Sequence, residues 1–306
     1  MQQMSASWLT DMTAPSRIVE AKVEVYRDSA LVYTFLPEDY LSSVKIERTT
    51  ENGAMFGYTL CQKASLEVID VDGAFVLEKD DEIRIFLGTE TELAKNPIFY
   101  IEEIKRDEVK KNISIVAYDV INKSVKSLQK DLVITYPIDI EGYAAAVGSH
   151  LGVEVIWENV SAFPEVTYEE ETRPSFSGNE TLRQVLTAIA EITGTLCYVN
   201  SENKLCFKRL TRGDSATSID KELYFELKLG EPLALTKVSH VSDLGDVVSG
   251  SVDDNSGFHY IMRGNPFIEP ASTFPTDMLD CVYNALRGVT FYQYDIRWRG
   301  NPALDI

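Results

Sequence analysis

Apolar and polar residues alternate with a period of two through the first 120 or so positions. The pattern runs through Ala21-Lys-Val-Glu-Val-Tyr26, Ser43-Val-Lys-Ile-Glu-Arg48, Ser65-Leu-Glu-Val-Ile-Asp70 and Glu82-Ile-Arg-Ile-Phe86. It continues in Ile98-Phe-Tyr-Ile-Glu-Glu-Ile104 and Asn112-Ile-Ser-Ile-Val-Ala-Tyr118. Successive side chains of a strand point to opposite faces, so this alternation predicts strands with one buried and one wet face. Glu51-Asn-Gly53, Asp72-Gly73 and Lys110-Lys-Asn112 mark turns between them. Many short strands with regular turns suggest a closed barrel or a sandwich.

From about Asn122 the pattern becomes mixed. Residues Ile140 to Leu151 read as a helix, followed by a strand, Val153-Glu-Val-Ile-Trp157, and a polar loop from Phe163 to Phe176. Ser177-Gly-Asn-Glu180 has the spacing of a capping box, in which two side chains satisfy free helix N–H groups. The helix after it places Leu182, Val185, Leu186 and Ile189 on one face and stops at Gly194. Thr195–Val199 and Lys204–Arg209 form a hairpin.

Strand character returns at Leu233–Val241 and Phe258–Arg263. A helix is expected at Pro275–Leu286, with Met278, Leu279, Val282, Tyr283 and Leu286 inward and Gly288 after it. Val289 to Trp298 is rich in β-branched and aromatic residues and reads as a strand. The turn phrase Gly264-Asn-Pro266 recurs as Gly300-Asn-Pro302, and a further strand or a completing partner is expected beyond Ile306. The fold class is therefore α+β, mainly β: two β-barrel domains flanking a small α/β domain. The segments are 1–122, 123–213 and 214–306, the second barrel being incomplete.

Charge narrows the function. The net charge of −19 argues against nucleic-acid binding, which depends on cations displacing counterions from phosphate. Solubility accounts for it; so does an acidic surface past which DNA must slide. No apolar run is long enough to span a membrane, and Met1–Ala14 has neither the basic start nor the apolar core of a signal peptide.

Little in the chain points to catalysis. The three histidines, His150, His240 and His259, form no HExxH motif and stand beside no cysteine. His150 reads as a helix-end residue, and His240 and His259 as strand residues, packed or wet. No nucleophile elbow, phosphate-binding loop or dinucleotide fingerprint is present. Cys61, Cys197, Cys206 and Cys281 contain no CxxC pair. Cys197 and Cys206 flank a hairpin turn and could face each other, although buried thiols fit a reducing compartment better. Glu169-Glu-Glu171 and Asp253-Asp254 lack the ligand rhythm of a calcium loop and read as solvated. Phe291-Tyr-Gln-Tyr294 with Trp298 reads as a packed strand or interface rather than a sugar-binding strip. No catalytic, cofactor-binding or metal-ligating residue is assigned.

The order of segments resembles the hub proteins of phage-like tails: the baseplate hub of contractile tails and the N-terminal part of siphophage tail-associated proteins. The resemblance rests on Ala14-Pro-Ser-Arg17 leading into Ala21–Val25, then Ser43–Arg48 and Phe56-Gly-Tyr-Thr-Leu-Cys-Gln-Lys-Ala-Ser-Leu-Glu-Val-Ile-Asp70. It extends through Tyr100–Ile104, Ile115–Asp119, Thr181–Leu186, Asn203–Phe207, Asn265-Pro-Phe267 and Gly300-Asn-Pro302. It implies a homotrimer whose six barrels form a pseudo-sixfold ring. That ring would join a tail tube or distal tail protein on one side to a spike or tip protein on the other. DNA would pass without specific binding, in a virion component assembled in the host cytoplasm. A tail-associated cell-wall hydrolase and a carbohydrate-binding module are the alternatives.

Overall fold

The computed structural model describes residues 3–14, 18–48, 56–210, 224–242, 247–252, 257–268 and 275–298. A short helix, α1 (Ala6–Thr13), precedes β1 (Glu20–Arg27), β2 (Ala30–Phe35), β3 (Leu41–Glu47) and a two-residue β4 (Tyr58–Thr59). Next come β5 (Lys63–Ile69), β6 (Glu82–Gly88), β7 (Leu93–Asp107) and β8 (Asn112–Tyr118). All but β4 join one seven-stranded sheet in the order β2-β1-β6-β7-β8-β5-β3, antiparallel throughout. The alternation read from the sequence is its inner face: Ala64, Leu66, Val68, Ile83, Ile85, Ile113 and Ile115 are all buried in one core.

The expected barrels are not seen among the described residues. None of the sheets closes among the described residues, and β2 and β3 remain the two edges of the large sheet. A loop occupies the space that closure would fill. Phe75, between β5 and β6, packs edge-on against Tyr33 and Phe35 near one edge and Tyr40 near the other, with ring centroids 5.0–5.2 Å apart. Two Arg–Asp pairs anchor that loop: Arg106 to Asp70 at 2.8 Å, and a two-pronged bond from Arg27 to Asp81 with both arms at 2.8 Å. Burial works against ionisation of Asp81, yet the Arg27 bonds and the Glu78 N–H hold its pKa below the ordinary value.

The next segment contains α2 (Ile121–Lys126), β9 (Ile138–Asp139), α3 (Ile140–Leu151), β10 (Val155–Glu158), β11 (Thr167–Tyr168), α4 (Leu182–Thr193), β12 (Leu196–Val199) and β13 (Leu205–Lys208). The helix-opening motif differs from the sequence reading. Thr181 caps α4, accepting from the Gln184 N–H while the Gln184 side chain accepts from the Thr181 N–H. Glu180 instead closes its own turn on the N–H groups of Ser177 and Gly178. The four apolar positions of α4 are fully buried, and Gly194 ends it in the left-handed region at φ 63°, where glycine meets no Cβ penalty.

The last described elements are β14 (Tyr224–Val241), β15 (Val247–Val252), β16 (Phe258–Arg263), α5 (Pro275–Leu286) and β17 (Thr290–Trp298). β14 pairs with β17 along its first part and with β15 and β16 along its second, β16 running parallel to it. All five expected inward residues of α5 are buried. They join a second large core that also holds Phe56, Val120 and Ile121, the faces of α3 and α4, and Leu235, Val238 and Met262. One core thus draws residues from all three segments of the sequence reading. No described helix is long and apolar enough to cross a membrane.

Phe75 seals the open side of the first sheet while only half-buried, so truncation removes packing but opens no enclosed cavity. Phe75→Ala is expected to cost about 2 kcal/mol, below the usual range for a buried phenylalanine, read as a lower urea midpoint.

Candidate functional site

The two large cores meet where the chain leaves β3, passes through β4 and enters β5. β4 does not pair with its sequence neighbours; it lies parallel to β12, Tyr58 opposite Leu196 and Thr59 opposite Cys197. The N–H groups of Gly57 and Leu60 extend the ladder to the carbonyls of Thr195 and Cys197, each at 2.8 Å. Gln62 continues the tie with its side chain, donating to the Val199 carbonyl at 2.6 Å and accepting from Arg48 at 2.8 Å.

Asp119, fully buried at the end of β8, holds the other side of this junction. Its carboxylate accepts from the N–H groups of Gln62 at 2.9 Å and Ile121 at 3.1 Å, and from the Cys61 thiol at 3.4 Å. Burial raises the Asp119 pKa to about 7, against these hydrogen bonds, which favour the charged form. Burial also keeps Cys61 a thiol and hence a donor.

A second polar knot ties in the C-terminal elements. Asn265, from the first Gly-Asn-Pro phrase, donates its N–H to His240 and its amide to the Ala188 carbonyl and Glu191 carboxylate. Tyr260 donates to the same carboxylate at 3.0 Å and packs its ring on Phe56 at 4.2 Å. Burial raises the Glu191 pKa, opposed by the bonds from Asn265 and Tyr260. Gly57 has φ +76°, and a Cβ there would stand 2.5 Å from the Tyr260 hydroxyl and 2.8 Å from Glu191 Cγ.

Between these knots lies a cleft of about 490 Å³, walled by α4, β4, Val125 of α2 and the Gly264-Asn-Pro266 turn. Its charged lining comprises Glu180, Arg183, Glu191 and Arg263.

The residues weighed in the sequence do not converge on this junction, with one exception. His240 is buried and accepts from Asn265. His150 is exposed in the last turn of α3. His259 meets the Ser239 hydroxyl at 2.7 Å, a pairing between neighbouring strands that the sequence did not reveal. Ser239 is buried, whereas His259 is exposed. Burial, then Lys237, lowers the His259 pKa. None of the four cysteines forms a disulfide; Cys206 pairs across the hairpin with Tyr198 and Cys197 with Phe207, so the two sulfurs start from opposite faces. Glu169, Glu170 and Glu171 are exposed, Phe291 packs on the second core, and Asp253, Asp254 and the second Gly-Asn-Pro phrase lie outside the described residues. Gln62, Asp119 and Glu191 were missed, because nothing in their spacing distinguishes them from surface polar residues.

Two substitutions probe the junction. Gly57→Ala forces a side chain into a left-handed backbone and a filled space, with an expected loss of about 2–3 kcal/mol in chemical denaturation. Folding raises the Asp119 pKa above its ordinary 3.8, so its relative stabilisation is full below that value and lost as pH rises through about 7. Asp119→Asn is expected to lower stability at every pH, since one amide oxygen cannot serve donors on both sides. It should also flatten the stability–pH slope across that interval, measured by urea melts at successive pH values.

No protein-family model matches this chain, and no curated protein matches it. Solved structures do. A 43 kDa tail protein of prophage MuSo2 from Shewanella oneidensis aligns over 90% of this chain and 81% of its own, at 13% identity and a TM-score of 0.50. A tail protein from Neisseria meningitidis MC58 aligns over 80% and 70%, at 10% identity and TM-score 0.48. The prophage tail protein gp18 from Listeria monocytogenes EGD-e aligns over 85% and 76%, at 11% identity and TM-score 0.46. The chain thus shares its overall fold with the Shewanella prophage tail protein over 90% of its length.

Proposed function

We propose that this chain is a structural hub protein of a phage or prophage tail tip or baseplate. Three copies form a ring that joins the tail tube or distal tail protein on one side to the spike or tip on the other. The observation that carries this reading is the shared fold with a prophage tail protein over 90% of the chain. The segments 1–122, 123–213 and 214–306 are the working units of that assembly, the second and third sharing one core to which the first adds Phe56, Val120 and Ile121.

The physical features are consistent with assembly rather than turnover. The first sheet has two open edges, β2 and β3, which another polypeptide can extend by backbone hydrogen bonds. Heterologous contacts of this kind close into rings when the rotation between copies permits. The polar knots at the junction hold the two cores in one arrangement, as a load-transmitting adaptor requires. The chain acts in this reading as a non-enzymatic virion component, with an acidic lumen that lets the genome slide through.

Sedimentation equilibrium of the purified chain tests the ring. The expected result is a mass three times that of one chain; a monomer that persists at high concentration overturns the trimer. Within an assembled particle, replacing lumen-facing Asp and Glu residues by Lys is expected to slow DNA ejection. Unchanged ejection kinetics would remove the role given to the negative charge.

A further inference from the structure

The loop between β5 and β6 is apolar on both of its sides. Phe75 and Leu77 turn inward to the first core, while Val71 and Val76 stay 66% and 58% exposed. Tyr40 and Ile69 beside them are 45% and 42% exposed. These side chains surround Phe75. The Tyr40 ring packs on it, the Ile69 N–H donates to the Tyr40 carbonyl, and the Val76 N–H donates to the Tyr33 hydroxyl. The loop is held at several points: Asp70 accepts from the Ala74 N–H, Arg106 donates to the Phe75 carbonyl and Arg27 to the Val76 carbonyl. The first core accounts for Phe75 and Leu77, but not for valine at 71 and 76. The margin of the patch is acidic. Segments 27–30, 36–41, 69–81 and 106–112, which surround it, hold ten carboxylates against five cations. Each of the five, Arg27, Lys79, Arg106, Lys110 and Lys111, has an ion-pair partner within the chain. Asp28, Glu38, Asp39 and Asp72 are exposed, and no cation among the described residues lies within ion-pair distance of them.

We propose that this patch docks a different polypeptide, one that presents an apolar side chain flanked by lysine or arginine. An exposed apolar centre with a polar margin is the anatomy of a contact surface. Because the loop is held by its own hydrogen bonds, little ordering entropy is lost on binding. The margin selects the partner. A second copy docked patch to patch would set the same carboxylates against each other, and an anionic lipid surface would be repelled in the same way. A basic partner instead meets Asp28, Glu38, Asp39 and Asp72. The apolar centre then fixes where on an acidic chain that partner sits. Within a tail the partner is an adjoining component, but the surface is complete within one chain and does not depend on trimer formation.

Calorimetric titration of the full chain tests the surface with three probes: a short capped peptide alternating leucine and lysine, and its serine–lysine and leucine–glutamate counterparts. The leucine–lysine peptide is expected to bind at one site per chain. Its affinity is expected to fall about tenfold in the double variant Val71→Ser, Val76→Ser, which removes two apolar contacts. Asp72→Asn is expected to weaken it about threefold, the share of one exposed charge pair. All three side chains are exposed, so these variants keep the fold; unchanged thermal unfolding is the control. No binding of the leucine–lysine peptide overturns the proposal. Equal binding of the serine–lysine peptide, or affinity unaffected by the valine substitutions, overturns it in favour of general attraction to a negative chain. Equal binding of the leucine–glutamate peptide removes the charge selection and overturns it too. Self-association of the unaltered chain that the valine substitutions abolish overturns it in favour of a second copy.

Discussion

The structure depends on how a buried carboxylate is satisfied at the seam between two cores. Asp119 is out of contact with water, so its oxygens must find donors within the protein. The donors are the backbone N–H groups of Gln62 and Ile121 and the thiol of Cys61. These belong to the start of β5 and the start of α2, two of the places where the chain passes between the first sheet and the second core. One side chain therefore fixes the spacing of both crossings. Gln62 then extends the same network to the Val199 carbonyl, and β4 is held in register along β12.

That seam makes the molecule a body that behaves as one unit. The first sheet need not close to be stable, because Phe75 and its two Arg–Asp anchors fill the open side. Among the described residues β2 and β3 are its edges, and its far end is tied to the helices. Asn265 and Glu191 do the same at the C-terminal side, binding β14, β16 and α4 around Gly57. The polar ties on both sides thus join the first sheet, the helices and the C-terminal strands through buried hydrogen bonds.

The sequence showed local structure well and long-range ties poorly. Period-two runs such as Glu82–Phe86 and the helical face of α5 were legible because burial repeats at the period of the element itself. β2 was missed because, at the sheet edge, Leu31 and Val32 are exposed and only Phe35 is fully buried, so the alternation fails. Barrel closure was expected because alternation shows which face is buried but not whether the outermost strands meet. The cap of α4 was placed one motif too early, since Ser177–Glu180 and Thr181–Gln184 carry the same spacing and only the backbone distinguishes them. Asp119, Gln62 and Glu191 were invisible because their partners lie far along the chain or in the backbone. Asn265 alone left a trace, in the repeated Gly-Asn-Pro phrase.

Native-state hydrogen exchange at the seam tests the central claim directly. The Leu60 amide bonds to Cys197 across the junction and the Gln62 amide to Asp119 at its rim, while the Ile115 and Leu205 amides sit in the two separate sheets. If the seam makes the chain one cooperative body, all four amides open with the same free energy. Rapid exchange at Leu60 and Gln62 while Ile115 and Leu205 stay protected, or two distinct opening energies for the two sheets, would contradict the account.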